Sequence, residues 1–117
     1  MEPFTEQVVR LLKKVPAGKV ATYGQIARLA GNSRAARQVA RILHSMSRRH
    51  GIPWHRIINA KGEIAVGDPD IAREQEDLLS AEGVPVTGGR RVDLHEYRWD
   101  PGFEAEDRFD GEDGSGR

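Results

Sequence analysis

No cysteine occurs anywhere in the 117 residues. That absence excludes disulfides, thiolate metal sites and any thiol nucleophile. Acidic residues are missing from a long stretch as well, since no Asp or Glu lies between Glu6 and Glu63. No apolar run approaches the roughly 20 residues needed to cross a bilayer, and nothing resembles a signal peptide. A soluble, cytoplasmic protein of the bacterial cytosol or nucleoid is the expectation, with no membrane association. His44, His50, His55 and His95 show no ligand spacing on one helical face, so neither a metal nor another cofactor is expected.

What is present is distributed unevenly. Residues 1–61 carry twelve Lys and Arg against two acids, whereas residues 62–117 carry six basic and sixteen acidic side chains. The net charge of zero therefore conceals a basic half facing an acidic half. A basic run without carboxylates is the footprint of a polyanion partner, which outweighs the alternative of a merely solvated surface. The length suits one domain with a modest core.

Apolar spacing gives a mainly α organisation. Phe4, Val8, Leu11, Leu12 and Val15 recur at helical intervals, with Pro3 suited to a first turn and Pro16-Ala17-Gly18 ending the run. Thr22 and Gln25 form a capping-box pattern that opens a second helix, whose apolar side is Ile26, Leu29 and Ala30 and which Gly31 stops. Asn32 and Ser33 open a third helix from about Arg34 to Ser47. Two short helices around a glycine turn, the later one basic, read as a helix-turn-helix. Ile57-Ile58 and Ile64-Ala65-Val66 flank a turn-rich pentapeptide and predict a short hairpin, or wing. Residues 70–82 predict a last, acidic helix with Ile71, Leu78 and Leu79 inward, and residues 84–101 read as extended and irregular. The expected fold is a winged helix-turn-helix DNA-binding domain over 1–101. Residues 102–117, with six acids, two arginines and four glycines, read as a disordered acidic tail.

On the third helix Ala36, Val39, Ala40 and Leu43 make one stripe, most simply core. Arg34, Arg37, Gln38, Arg41, Ser45 and Arg48 make the other, without interleaved carboxylates, which favours phosphate contact. Such contact would weaken steeply with salt.

Four segments in order carry a resemblance: Thr22-Tyr23-Gly24-Gln25-Ile26-Ala27, Arg34-Ala35-Ala36-Arg37-Gln38-Val39, Pro53-Trp54-His55-Arg56-Ile57-Ile58 and Leu78-Leu79-Ser80-Ala81-Glu82-Gly83. Together they resemble the O6-alkylguanine-DNA alkyltransferases over most of residues 4–88. Trp54 stands where active members place the alkyl-accepting cysteine. That change, with Glu96-Tyr97-Arg98-Trp99-Asp100-Pro101, resembles the alkyltransferase-like proteins, which recognise alkylated guanine without repairing it.

The resemblance implies residue roles. Extruding a nucleotide from the stack costs a few kcal/mol. Tyr23 would press on the phosphate and Arg37 would fill the vacated space, its planar guanidinium stacking there. Thr22, Arg34, Ala35, Ala36, Gln38 and Arg41 would contact DNA, the small alanines letting the helix approach the minor-groove floor, where readout is degenerate. Pro53, Trp54 and Arg56 would line the lesion pocket, and Arg56 would also tie the loop to nearby carbonyls. His55 and Glu82, which help form the thiolate in active members, would remain as a structural pair. Competing readings make Tyr23 an ordinary packing aromatic, Arg37 a plain phosphate binder and Trp54 a core residue. The position of an arginine that probes the damaged base in some alkyltransferase-like proteins falls here at about Gly67, with Arg73 the nearest later arginine.

The implied function is non-enzymatic recognition of O6-alkylguanine in duplex DNA by nucleotide flipping, by a monomer that flags the lesion to nucleotide excision repair proteins. A winged-helix transcription regulator is the main rival and predicts major-groove docking, usually as a dimer. An active repair enzyme is the second, and it lacks a competent acceptor.

Overall fold

The computed structural model describes residues 2–102. The expected acidic tail lies outside the described residues, apart from Gly102. The chain runs as α1 (Pro3–Lys14), β1 (Ala21–Thr22), α2 (Tyr23–Leu29), α3 (Ala36–His50), a 3-10 turn (Trp54–Arg56), β2 (Ile57–Ile58), α4 (Pro69–Ala81) and α5 (Leu94–Tyr97). It is mainly helical, as the periodicity predicts, with one small sheet.

Local chemistry sets most helix boundaries. Pro3 opens α1, and Val8, Val9 and Leu12 form its buried stripe, with Phe4 and Leu11 only half-buried beside it. Thr22 and Gln25 build the expected capping box: the Gln25 amide donates to Thr22 Oγ1 at 3.0 Å, and the Thr22 amide donates to Gln25 Oε1 at 3.4 Å. The third helix begins two residues later than its sequence suggests. Asn32 Oδ1 accepts from the Arg34 amide at 3.0 Å, which winds residues 32–35 into a turn rather than a first helical turn.

β1 and β2 pair in parallel, with Ala21 opposite Ile57 and Thr22 opposite Ile58. Successive side chains alternate faces along such strands. Ala21 and Ile57 therefore join the core among α1, α2 and α3, whereas Val20 and Ile58 join a second core with Ile64, Ala72, Leu79, Val84 and Val92. The other side of Val20 is also paired: its amide donates to the Tyr97 carbonyl at 2.9 Å, and its own carbonyl accepts from the Trp99 amide at 2.7 Å. Trp99 is buried in the first core and Tyr97 packs on the second, both as packing residues.

The expected hairpin survives only as its turn. Asn59 Oδ1 accepts from the Lys61 and Glu63 amides at 2.9 and 2.8 Å, and the Asn59 amide donates to the Glu63 carbonyl. Beyond the turn the flanks part, β2 going to β1 while the Ile64 amide donates to the Arg90 carbonyl at 3.0 Å. Gly62 permits this exchange. At φ +80° it takes a left-handed conformation, and a Cβ there would sit 2.7 Å from the Val92 carbonyl oxygen. The segment after α4 thus crosses over the turn and supplies the partner that a hairpin strand would have given.

Candidate nucleic-acid interface and base-sized cleft

Sequence order makes α3 the basic element, and the fold leaves that face open. Arg34, Arg37, Arg41, Ser45 and Arg48 are exposed, and Gln38 is half-buried. Among the described residues no carboxylate pairs with an α3 arginine; the ion pairs join His55 and Arg56 to Glu82, and Arg91 to Glu63. Two expected DNA contacts are not on this face. Thr22 is buried and uses its hydroxyl as the α2 cap, and Ala35 is buried in the core beneath the turn that precedes α3. Ala36 remains half-exposed at the first helical position.

The parallel pairing of β1 with β2 determines what meets at the second feature, a cleft. β1 leads directly into Tyr23, the first residue of α2, and β2 follows directly on the turn that carries Trp54. Holding the two strands in register brings both aromatics to one cleft of about 520 Å³, within the 300–1,000 Å³ usual for small-ligand sites. Trp54 is half-buried, its amide donating to the Ile52 carbonyl at 2.8 Å and its ring meeting His55 edge-on at a centroid distance of 6.2 Å. Tyr23 packs against the core, and its burial raises the phenol above its ordinary titration range.

Several lining residues were not foreseen. His44 and Ser47 enter from α3, Asp68 and Ile71 from the start of α4, and Gln75 from its buried side. Ile71, expected inside, is 42% exposed, because Ala72, Gln75 and Leu79 form the face that α4 buries. Gln75 is an amide within that face. Its Nε2 donates to the His55 and Ile57 carbonyls, both at 3.0 Å, so one side chain clamps the backbone on the far side of Trp54. Its Oε1 has no hydrogen-bond partner among the described residues. A polar residue within an apolar period leaves no periodic signal, which is why this one was missed.

Neither Pro53 nor Arg56 lines the cleft. Arg56 turns the other way, donating from Nη2 to Glu82 Oε2 at 2.6 Å, from Nε to both Glu82 oxygens, and from Nη1 to the Val15 carbonyl at 2.9 Å. Its pocket role is thereby corrected, since the pull of a partly buried carboxylate fixes the guanidinium away from the opening. His55 Nε2 lies 2.8 Å from the same carboxylate, as the expected pair, and the Gly18 amide donates to it at 3.3 Å. Chiefly through Arg56, and against the opposing effect of burial, this environment lowers the Glu82 carboxyl to about 2. No group of three or more metal-ligating side chains gathers among the described residues.

Comparison with known proteins agrees with this fold. The DNA-binding domain family of 6-O-methylguanine DNA methyltransferase matches residues 3–84. A protein of Escherichia coli (strain K12) named DNA base-flipping protein is 43% identical over 98 residues, covering 84% of this chain and 75% of its own. Alkyltransferase-like protein 1 of Schizosaccharomyces pombe is 37% identical over 106 residues, covering 86% and 98%. The structure of S. pombe Atl1 in complex with damaged DNA containing O6-carboxymethylguanine superposes with a TM-score of 0.78 at 37% identity, again over 86% and 98%.

Proposed function

The chain belongs to the 6-O-methylguanine DNA methyltransferase family through its DNA-binding domain, and from that premise we propose that it reads O6-alkylguanine in duplex DNA without repairing it. In this reading α3 docks along the minor groove, its exposed arginines on the phosphates. Arg37 enters the stack, and Tyr23 presses the target phosphate so that the nucleotide rotates into the cleft. Trp54 then serves as a flat wall against the purine, and stacking of this kind is worth about 1–3 kcal/mol per base. Alkyl transfer to a thiol is unavailable to a chain without cysteine. The bound lesion is instead marked for nucleotide excision repair by a monomer, the acidic α4 offering a surface to the repair proteins.

One observation carries this reading: Trp54, in the acceptor's place, and Tyr23, at the start of the helix-turn-helix, wall the same cleft. Relatives named for base flipping and bound to damaged DNA support it. The test is binding of duplexes with and without one O6-methylguanine at fixed salt. A clear preference for the lesion is expected, and equal affinities would remove the claim. Arg37→Ala and Tyr23→Phe are expected to weaken the lesion complex while leaving the melting temperature nearly unchanged, and Tyr23→Ala, which also removes a ring packed on the core, is expected to weaken binding more than it lowers stability.

A further inference from the structure

Resting on that reading, the geometry points to a lesion preference: the cleft selects extended, uncharged alkyl groups on guanine O6 and disfavours anionic ones, with Ile71 and Asp68 as the determinants. Ile71 is a large apolar side chain left 42% exposed on a helix that is otherwise acidic outside. It contributes little to the core, which Ala72 and Leu79 serve from the same helix. Its position shows a different use. A second opening of about 450 Å³ shares Trp54, His44, Ser47 and Ile71 with the first and continues to Arg48 and Glu74. Trp54 and Ile71 are thus walls common to both spaces. A methyl group would occupy the first space alone, whereas a longer chain would run on along Ile71.

Charge at the rim sets the second half of the preference. Asp68 lines the cleft and caps α4, its Oδ1 accepting from the Asp70 and Ile71 amides at 2.9 and 3.4 Å. The positive end of the α4 dipole, which would welcome an anion, is therefore already occupied by a carboxylate. Gly67 beside it adds no cation. His44 and Arg48 face the two spaces from α3, and Glu74 opposes Arg48 in the second. In the first cleft, which a short adduct would occupy, an anionic group would meet the Asp68 charge with no arginine or lysine among the lining residues.

The test titrates the full chain with one duplex sequence carrying guanine, O6-methylguanine, O6-butylguanine or O6-carboxymethylguanine at fixed salt. Butyl is expected to bind about tenfold more tightly than methyl, from partial burial of three added methylenes. Carboxymethyl is expected to bind about fivefold more weakly than methyl, the scale of one exposed charge contact. Ile71→Ser should erase the butyl advantage. Asp68→Asn, which keeps a good cap, should raise the ratio of carboxymethyl to methyl affinity. Equal binding of methyl and butyl, or a carboxymethyl ratio unmoved by Asp68→Asn, would overturn the inference while leaving lesion recognition standing. Failure of every lesion to exceed plain guanine would remove the underlying function instead.

Discussion

On one side of the turn Trp54–Arg56, the Glu82 carboxylate meets an arginine fork, a histidine and a backbone amide, and almost nothing is left unsatisfied. On the other side Trp54 is half-buried, Ile71 stands exposed and Gln75 Oε1 lacks a partner among the described residues. Three consecutive residues separate a closed network from an open cleft. The contrast teaches where each kind of energy resides: the closed side holds the turn in place, and the open side keeps its surface for a ligand. His55 and Glu82 meet no thiol in this chain, which has no cysteine. Here the same pair, with Arg56, is a bracket.

Breaking the closed side should have the largest effect. Glu82→Gln leaves Arg56 without its charge partner and is expected to lower stability by about 2–4 kcal/mol, read by chemical denaturation. Lesion affinity should then fall only in proportion to the unfolded fraction. Acid should act through the same group. Because folding lowers the Glu82 carboxyl to about 2 from an ordinary value of 4.5, its contribution is present above that ordinary value and is lost as pH falls toward 2. Unfolding measured between pH 5 and 2.5 should show this loss in the parent chain and a shallower one in Glu82→Gln.

Breaking the open side should separate the functions in the opposite sense. Trp54→Ala is expected to cost the lesion complex about 1–3 kcal/mol, with a smaller change in melting temperature than Glu82→Gln. A larger loss of stability than of binding would place Trp54 with the core after all. The smallest effect belongs to α3. Arg41→Ala should weaken damaged and undamaged duplexes alike and reduce the salt dependence by about one unit of slope. A change in the ratio of the two affinities would show that Arg41 reads the lesion.

Much of this comparison was legible before any coordinates. The capping box at Thr22 and Gln25, the exposed arginine stripe and the pairing of His55 with Glu82 followed from short-range spacing and from the resemblance. The burial of Ala35 and Thr22, the turn of Arg56 toward Glu82 and the exposure of Ile71 did not follow. Each depends on which way a short segment leans once distant elements pack on it. The hairpin failed for the same reason. Apolar residues specify a strand but not its neighbour, and here β1 and residues 90–92 pair with the two flanks that local sequence would have assigned to each other.

Val20 is held from both sides, by β2 through the strand it leads into and by residues 97–99 through two backbone hydrogen bonds. Trp99 then closes the first core. The smallest autonomous folding unit therefore extends beyond the family-matched stretch that ends at residue 84. A fragment trimmed at that boundary would strip the Val20 amide and carbonyl of their partners and open a hole the size of an indole beneath α2. Protease resistance should accordingly appear only in fragments that retain residue 99.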